Sequence, residues 1–206
     1  MGLVRKMHKI TFYIAIFLLY CGKLSAEETS PENKPTGRVK YIDIDPDNEE
    51  QYHDLEAKDW KGKTKRFENF EGYVTVVLNM QWNWSTVRAN LMKIEHIHSL
   101  YPYVSEFMVF PTNIPCTGDD ELTMREKTLT ELYDWKINIM ETVKINGDDT
   151  HPVFKYLKRV FEVENLNENY ATYFFISPDG DQISKVDGAA ISFIQQGVNE
   201  YVKKYI

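Results

Sequence analysis

Cys116, the pair His96 and His98, and the acidic run Asp119–Glu121 are the side chains in this sequence best suited by type to redox, metal or acid–base chemistry. A thiolate at Cys116 could be oxidised to a sulfenic acid and captured as a mixed disulfide. Asp119, Asp120 and Glu121 follow closely, however, and would raise its pKa, and no base lies near it in sequence. The other cysteine, Cys21, lies in an N-terminal leader expected to be removed, which leaves Cys116 alone, with a small buried side chain and an intermolecular disulfide partner as its alternatives. His96 and His98 stand two apart on a predicted helix and point to opposite sides, so they make poor ligands for one metal. Calcium would need more oxygen ligands than the acidic run offers, which reads as a solvated helix start. There is no glycine-rich phosphate loop and no G-x-S-x-G elbow. The residues thus give no metal site and no cofactor site.

One more stretch holds chemistry of a different kind. Asn83-Trp84-Ser85 is the only N-x-S/T sequon in the chain, and Trp82 and Trp84 flank its asparagine. The two indoles suit packing or plugging, with an exposed partner-binding pair as the alternative.

The elements that must position these groups follow from periodicity. Residues 73–80 are an almost unbroken apolar run, expected of a central strand buried on both faces. Val87, Leu91, Ile94, Ile97 and Leu100 recur at helical spacing, with Ser85 and Thr86 as expected N-cap residues. A second strand is predicted over 106–110, closed by a loop at Pro111, and a weaker helix over 122–132. Residues 137–145 read as a short strand or an irregular segment. Residues 151–161 read as a helix with Pro152 in its first turn. "YATYFFIS" and "DQISKV" form a hairpin around "SPDGD", and a final amphipathic helix starts near Ala189. Ahead of all these, "DWKGK" supplies the turn of a short hairpin in 52–72. Strands alternating with helices, then a hairpin and a helix, predict an α/β domain: a mixed sheet with helices on both faces.

The N-terminus divides from this domain. A basic start, the twelve-residue apolar stretch "ITFYIAIFLLYC" and the small-residue end "GKLSA" have the form of a secretory signal peptide over 1–26. Twelve residues fall short of the roughly 20 that cross a bilayer, so cleavage after Ala26 is expected, with a signal anchor in the endoplasmic reticulum as the alternative. Residues 27–51 are polar and contain proline, and predict a flexible arm before a domain at 52–206. Cleavage removes Arg5, Lys6, Lys9 and Lys23 and no acid, which moves the net charge from −7 to −11. Such an acidic domain has no electrostatic attraction to nucleic acid or to anionic lipid.

Four segments carry a resemblance. "LEAKDWKGKTKRFENFEGYVTVVLNM", "FMVFPTN", "VKINGDDTHPVFKYLK" and "FFISPDG" resemble, in that order, the glutathione peroxidase family, over 52–206. The resemblance implies a thioredoxin-like fold, with the reactive site where the central strand feeds a helix, here "QWNWST". For ordinary members it implies reduction of hydroperoxides by a thiol such as glutathione or thioredoxin. Aligned on the family's motifs, Asn79 to Ser85 places Trp84 at the peroxidatic position. Phe110, Pro111 and Asn113 match a second motif, but Thr112 stands where it has a cysteine and Gly118 where a supporting glutamine is expected. Asn169 falls at a supporting tryptophan and Tyr170 at a supporting asparagine; a one-residue slip would pair Asn169 with the asparagine instead.

A peroxidatic group attacks the O–O bond as an anion, which an indole cannot become. The expectation is therefore a secreted protein of this family that binds or scaffolds without reducing peroxide. Its partner would be a protein or a small ligand in the secretory pathway. A weak thiol peroxidase or thiol-exchange protein using Cys116 is the alternative. The segment from "CTGDDE" to "NGDDTHP" lacks the Gly/Pro-rich insertion of tetrameric relatives, and a monomer is expected.

Overall fold

A computed structural model describes residues 39–45, 47, 50–81, 84–112, 137–188 and 191–206, with 84–86 and 191–192 described by backbone alone. Among the described residues there are eight strands and three α-helices: β1 (Lys40–Asp43), β2 (Glu56–Lys58), β3 (Thr64–Arg66), β4 (Val74–Gln81), α1 (Trp84–Leu100), β5 (Ser105–Thr112), β6 (Asn138–Ile139), α2 (Pro152–Phe161), β7 (Thr172–Ile176), β8 (Gln182–Asp187) and α3 (Ile191–Tyr205). Six strands form one sheet in the order β1-β8-β7-β4-β5-β6, and β2 with β3 forms a separate hairpin.

The apolar run of β4 places it at the centre. It pairs in parallel with β5, Leu78 opposite Val109, and antiparallel with β7, Leu78 opposite Tyr173. Successive side chains of a strand face opposite ways, and the core divides accordingly. Val76, Leu78, Phe107, Val109 and Phe175 pack with Val87, Leu91, Ile94 and Ile97 of α1 and with Ile194 and Val198 of α3. Val77, Met108, Phe110, Phe174 and Ile176 pack on the other face with Val153, Phe154, Leu157 and Phe161 of α2. Helices therefore cover both faces of a mixed sheet, as predicted. The α3 helix lies so close to β7 that a Cβ on Gly197 would stand 2.6 Å from the Phe175 ring.

The predicted hairpins are present. Asp59 ties the first together, accepting from the backbone N–H groups of Lys61 and Lys63, each at 2.9 Å. In the second, the Asp179 carboxylate accepts from the Ser177 hydroxyl at 2.5 Å and the Asp181 N–H at 3.1 Å. Residues 137–145 contain the two-residue β6, which pairs with β5 at Met108 and Val109. The α2 helix starts with Pro152 behind an N-cap at His151.

Three expectations are corrected. Within the stretch expected as a flexible arm, Lys40–Asp43 forms an edge strand, with Lys40 opposite Lys185 and Asp43 opposite Gln182. Ile44 after it is 8% exposed and belongs to the core, so the folded domain begins before residue 52. The α1 helix opens at Trp84, which puts Ser85 and Thr86 in its first turn rather than at its cap. Pro111 does not end β5, which continues to Thr112. Proline is tolerated there because β6 pairs only further back along the strand, and the Pro111 carbonyl accepts from the Val143 N–H at 3.0 Å. The helix predicted over 122–132 lies outside the described residues.

Candidate functional site

The site expected from the sequence is the junction between β4 and α1. Two residues separate Gln81, which ends β4, from Trp84, which starts α1. A helix of 17 residues carries positive potential at its N-terminus, so the junction suits a negatively charged group.

Asn79 organises the end of β4. It is 1% exposed in a largely apolar strand, and a buried amide needs partners. Its Oδ1 accepts from the Thr172 N–H at 2.8 Å, and its Nδ2 lies 3.5 Å from the Tyr170 carbonyl oxygen. One side chain thereby fixes the approach to β7 against the centre of the sheet. Thr172 is pinned a second time, its hydroxyl donating to Asp187 Oδ1 at 2.8 Å. The other oxygen of Asp187 pairs with Lys185 Nζ at 2.8 Å, and the Lys185 side chain is only 14% exposed.

Of the residues predicted to mark the site, the structure brings Tyr170 to this end of the sheet through its backbone. Its side chain is half-buried. Asn169 is exposed, and its N–H donates to Asn167 Oδ1 at 2.8 Å in a local turn. Trp84 stands at the junction as the first residue of α1. Trp82, Asn83, Asn113, Cys116 and Gly118 lie outside the described residues.

Thr112 ends β5 opposite Gln81. It is 1% exposed, and its hydroxyl has no hydrogen-bond partner among the described residues. Also among the described residues, no group of three His, Cys, Asp or Glu side chains could hold a metal ion, and no helix is long and apolar enough to cross a membrane.

On the α2 face His151 caps the helix. Its Nδ1 accepts from the Val153 N–H at 3.3 Å, its Nε2 lies 3.6 Å from Glu141 Oε1, and its ring centroid is 5.7 Å from that of Phe110. Burial lowers the pKa of this imidazole below the ordinary histidine value, against the opposing pull of Glu141.

The roles of Asn79 and of the Lys185–Asp187–Thr172 group were not anticipated. An amide inside an apolar run is the signal for the first. Lys185 and Asp187 are two apart on a strand, hence on one face, which is the signal for the second.

Comparison with known proteins bears on the fold and the family. The family model described as glutathione peroxidase matches residues 52–158. The phospholipid hydroperoxide glutathione peroxidase of Callithrix jacchus is 25% identical over 107 residues, 52% of this chain and 54% of that protein. Its Bos taurus counterpart is 24% identical over the same lengths. The match thus spans about half the length of these curated relatives. The apo crystal structure of Trgpx has a TM-score of 0.56 at 21% identity, covering 76% of this chain and 97% of the other. T. cruzi GPX1 follows with 0.54 at 16%, covering 75% and 97%. These likenesses establish a thioredoxin-like fold. With the family model matching just over half of its residues, the chain belongs to the glutathione peroxidase family.

Proposed function

We propose that this protein is a family member without hydroperoxide reductase activity, acting by binding or scaffolding in the secretory pathway or outside the cell. The observation that carries this reading is that α1 opens at Trp84, the position the family's motif gives to its thiol or selenol. An indole has no ionisable group to present to peroxide at pH 7, so the positive end of the helix has no anion to stabilise. The loss extends beyond one residue, since Thr112, Gly118, Asn169 and Tyr170 also depart from the motifs. The groups that hold the frame persist, Asn79 foremost. A chain that keeps its scaffold and loses its reactive group fits selection for folding and contact rather than turnover.

Purified protein is expected to consume neither hydrogen peroxide nor a lipid hydroperoxide with glutathione or thioredoxin as reductant. Turnover that disappears in Cys116→Ser would overturn the reading and assign the chemistry to that thiol. Secretion is a separate part of the proposal and rests on residues 1–26. Expression in a secretory host is expected to give a monomer starting at Glu27, and loss of mass on glycosidase treatment would show Asn83 occupied.

A further inference from the structure

A pocket of about 390 Å³ opens at the end of the sheet where Asp187 stands beside Thr172. Among the described residues it is lined by Asn165, Leu166, Asn167, Tyr170, Lys185 and Asp187. Its volume lies near the lower end of the range for small-molecule sites, about 300–1,000 Å³. One wall is β8. Lys185 stands opposite Phe174 and Asp187 opposite Thr172, so both side chains face the α2 side of the sheet with Phe174. The other wall is the segment between α2 and β7.

Both walls are held in place by the protein itself. Asn146 clamps Leu166 from two directions: its Nδ2 donates to the Leu166 carbonyl and its Oδ1 accepts from the Leu166 N–H, each at 2.8 Å. On β8, Lys185 Nζ donates to Asp187 Oδ2 at 2.8 Å, while Asp187 Oδ1 holds the Thr172 hydroxyl at 2.8 Å. These two side chains are 14% and 34% exposed, largely withdrawn from water yet on the surface of the pocket. An ion pair so placed adds little to stability, because lost hydration offsets the attraction. What it supplies is a fixed donor beside a fixed acceptor, with no net charge.

The remaining groups extend that pattern. Two N–H groups of Lys185, the Asn165 amide, the Asn167 Nδ2 and the Tyr170 hydroxyl make no hydrogen bond to other described residues. A cation entering here meets the Lys185 ammonium and an anion meets the Asp187 carboxylate, so neither is favoured. A hydroxyl both donates and accepts. It can serve Asp187 and Lys185 together without parting them, and amides offer the same two functions to neighbouring hydroxyls. The half-buried Tyr170 ring adds carbon surface suited to C–H groups.

We infer that this pocket binds a neutral polyhydroxylated ring, of which a monosaccharide unit is the simplest. The inference rests on the binding role proposed above, to which it adds a class of ligand. Because the contacts carry no net charge, the affinity is insensitive to salt, unlike that of an ionic ligand.

The test is an amide chemical-shift titration of the full chain with glucose, galactose, mannose and N-acetylglucosamine in turn, at low and high salt. At least one sugar is expected to give saturable shifts concentrated in 165–170 and 185–188, with the same midpoint at both salt concentrations. The Asn165→Ala/Tyr170→Ala variant, which removes no side-chain hydrogen bond within the described fold, is expected to bind at least tenfold more weakly. Tyr103→Ala, at an exposed tyrosine elsewhere, leaves binding unchanged. Absence of saturable shifts with all of these sugars, shifts scattered over the surface, or equal losses in the two variants would each overturn the inference. So would stronger perturbation of the same amides by phosphate or by alanine, which would assign the pocket to an anion or a zwitterion. The mapping on the unmodified chain decides the matter even if the double variant folds poorly. Its failure is separate from that of the proposed function, which the peroxide assay decides.

Discussion

Asn79 is the residue on which the frame of the site depends. The Thr172 N–H that it satisfies is buried beside the central strand. Replacing the amide with an apolar side chain of similar size leaves that donor unpaired, which costs about 1–3 kcal/mol. Asn79→Leu is therefore expected to lower the urea midpoint by an amount equivalent to about 2 kcal/mol, with the slope unchanged because the same surface is exposed on unfolding. Thr112 presents the opposite case: its buried hydroxyl already lacks a partner among the described residues. An apolar replacement there removes no described hydrogen bond.

At the level of elements, α2 shows a titratable group used as a structural one. His151 can accept from the Val153 N–H only while Nδ1 keeps its lone pair. Protonation turns this cap into a donor facing a donor, and burial already disfavours the charge. Because the native pKa lies below the unfolded value of about 6.5, the unfolded chain takes up the proton first. The stability contribution is whole above about pH 6.5 and is lost as pH falls through that value toward the native pKa, at most about 1.4 kcal/mol per pH unit for the one proton. Asparagine is a good N-cap that does not titrate. His151→Asn is expected to flatten the dependence of the urea midpoint on pH below 6.5. Some slope remains, since burial also holds His53 below its ordinary value. A variant as pH-sensitive as the parent would show that His151 is not the group responsible. The opening of α1 differs in kind: there Trp84 takes the first helical position, and Ser85 and Thr86 fall inside the turn.

Across the described residues, the sequence made most of the fold legible, because strands β4, β7 and β8 and helices α1, α2 and α3 announce themselves by apolar period. The short edge strand β1 did not. Its four residues are mostly exposed and its surroundings polar, so nothing local distinguishes it from a loop; only pairing with β8, distant in sequence, makes it a strand. For the same reason the site was legible in its replaced residues and not in its supports. Trp84 is read from a motif, whereas Asn79 acquires its role from a partner 93 residues away. The consequence for the domain boundary is measurable. A chain starting at Val39 retains the β1 ladder and Ile44, while one starting at Tyr52 loses both and exposes β8 as an unprotected edge. The shorter chain is expected to melt several degrees lower and to aggregate more readily, by calorimetry and light scattering. Synthesis adds a matter of timing. The partner of β1 is made about 140 residues after it, and at about 5–20 residues per second on the ribosome this is roughly 7–30 s. Through that interval β1 has no mate, and the strand made first is the one whose place in the sheet is filled last.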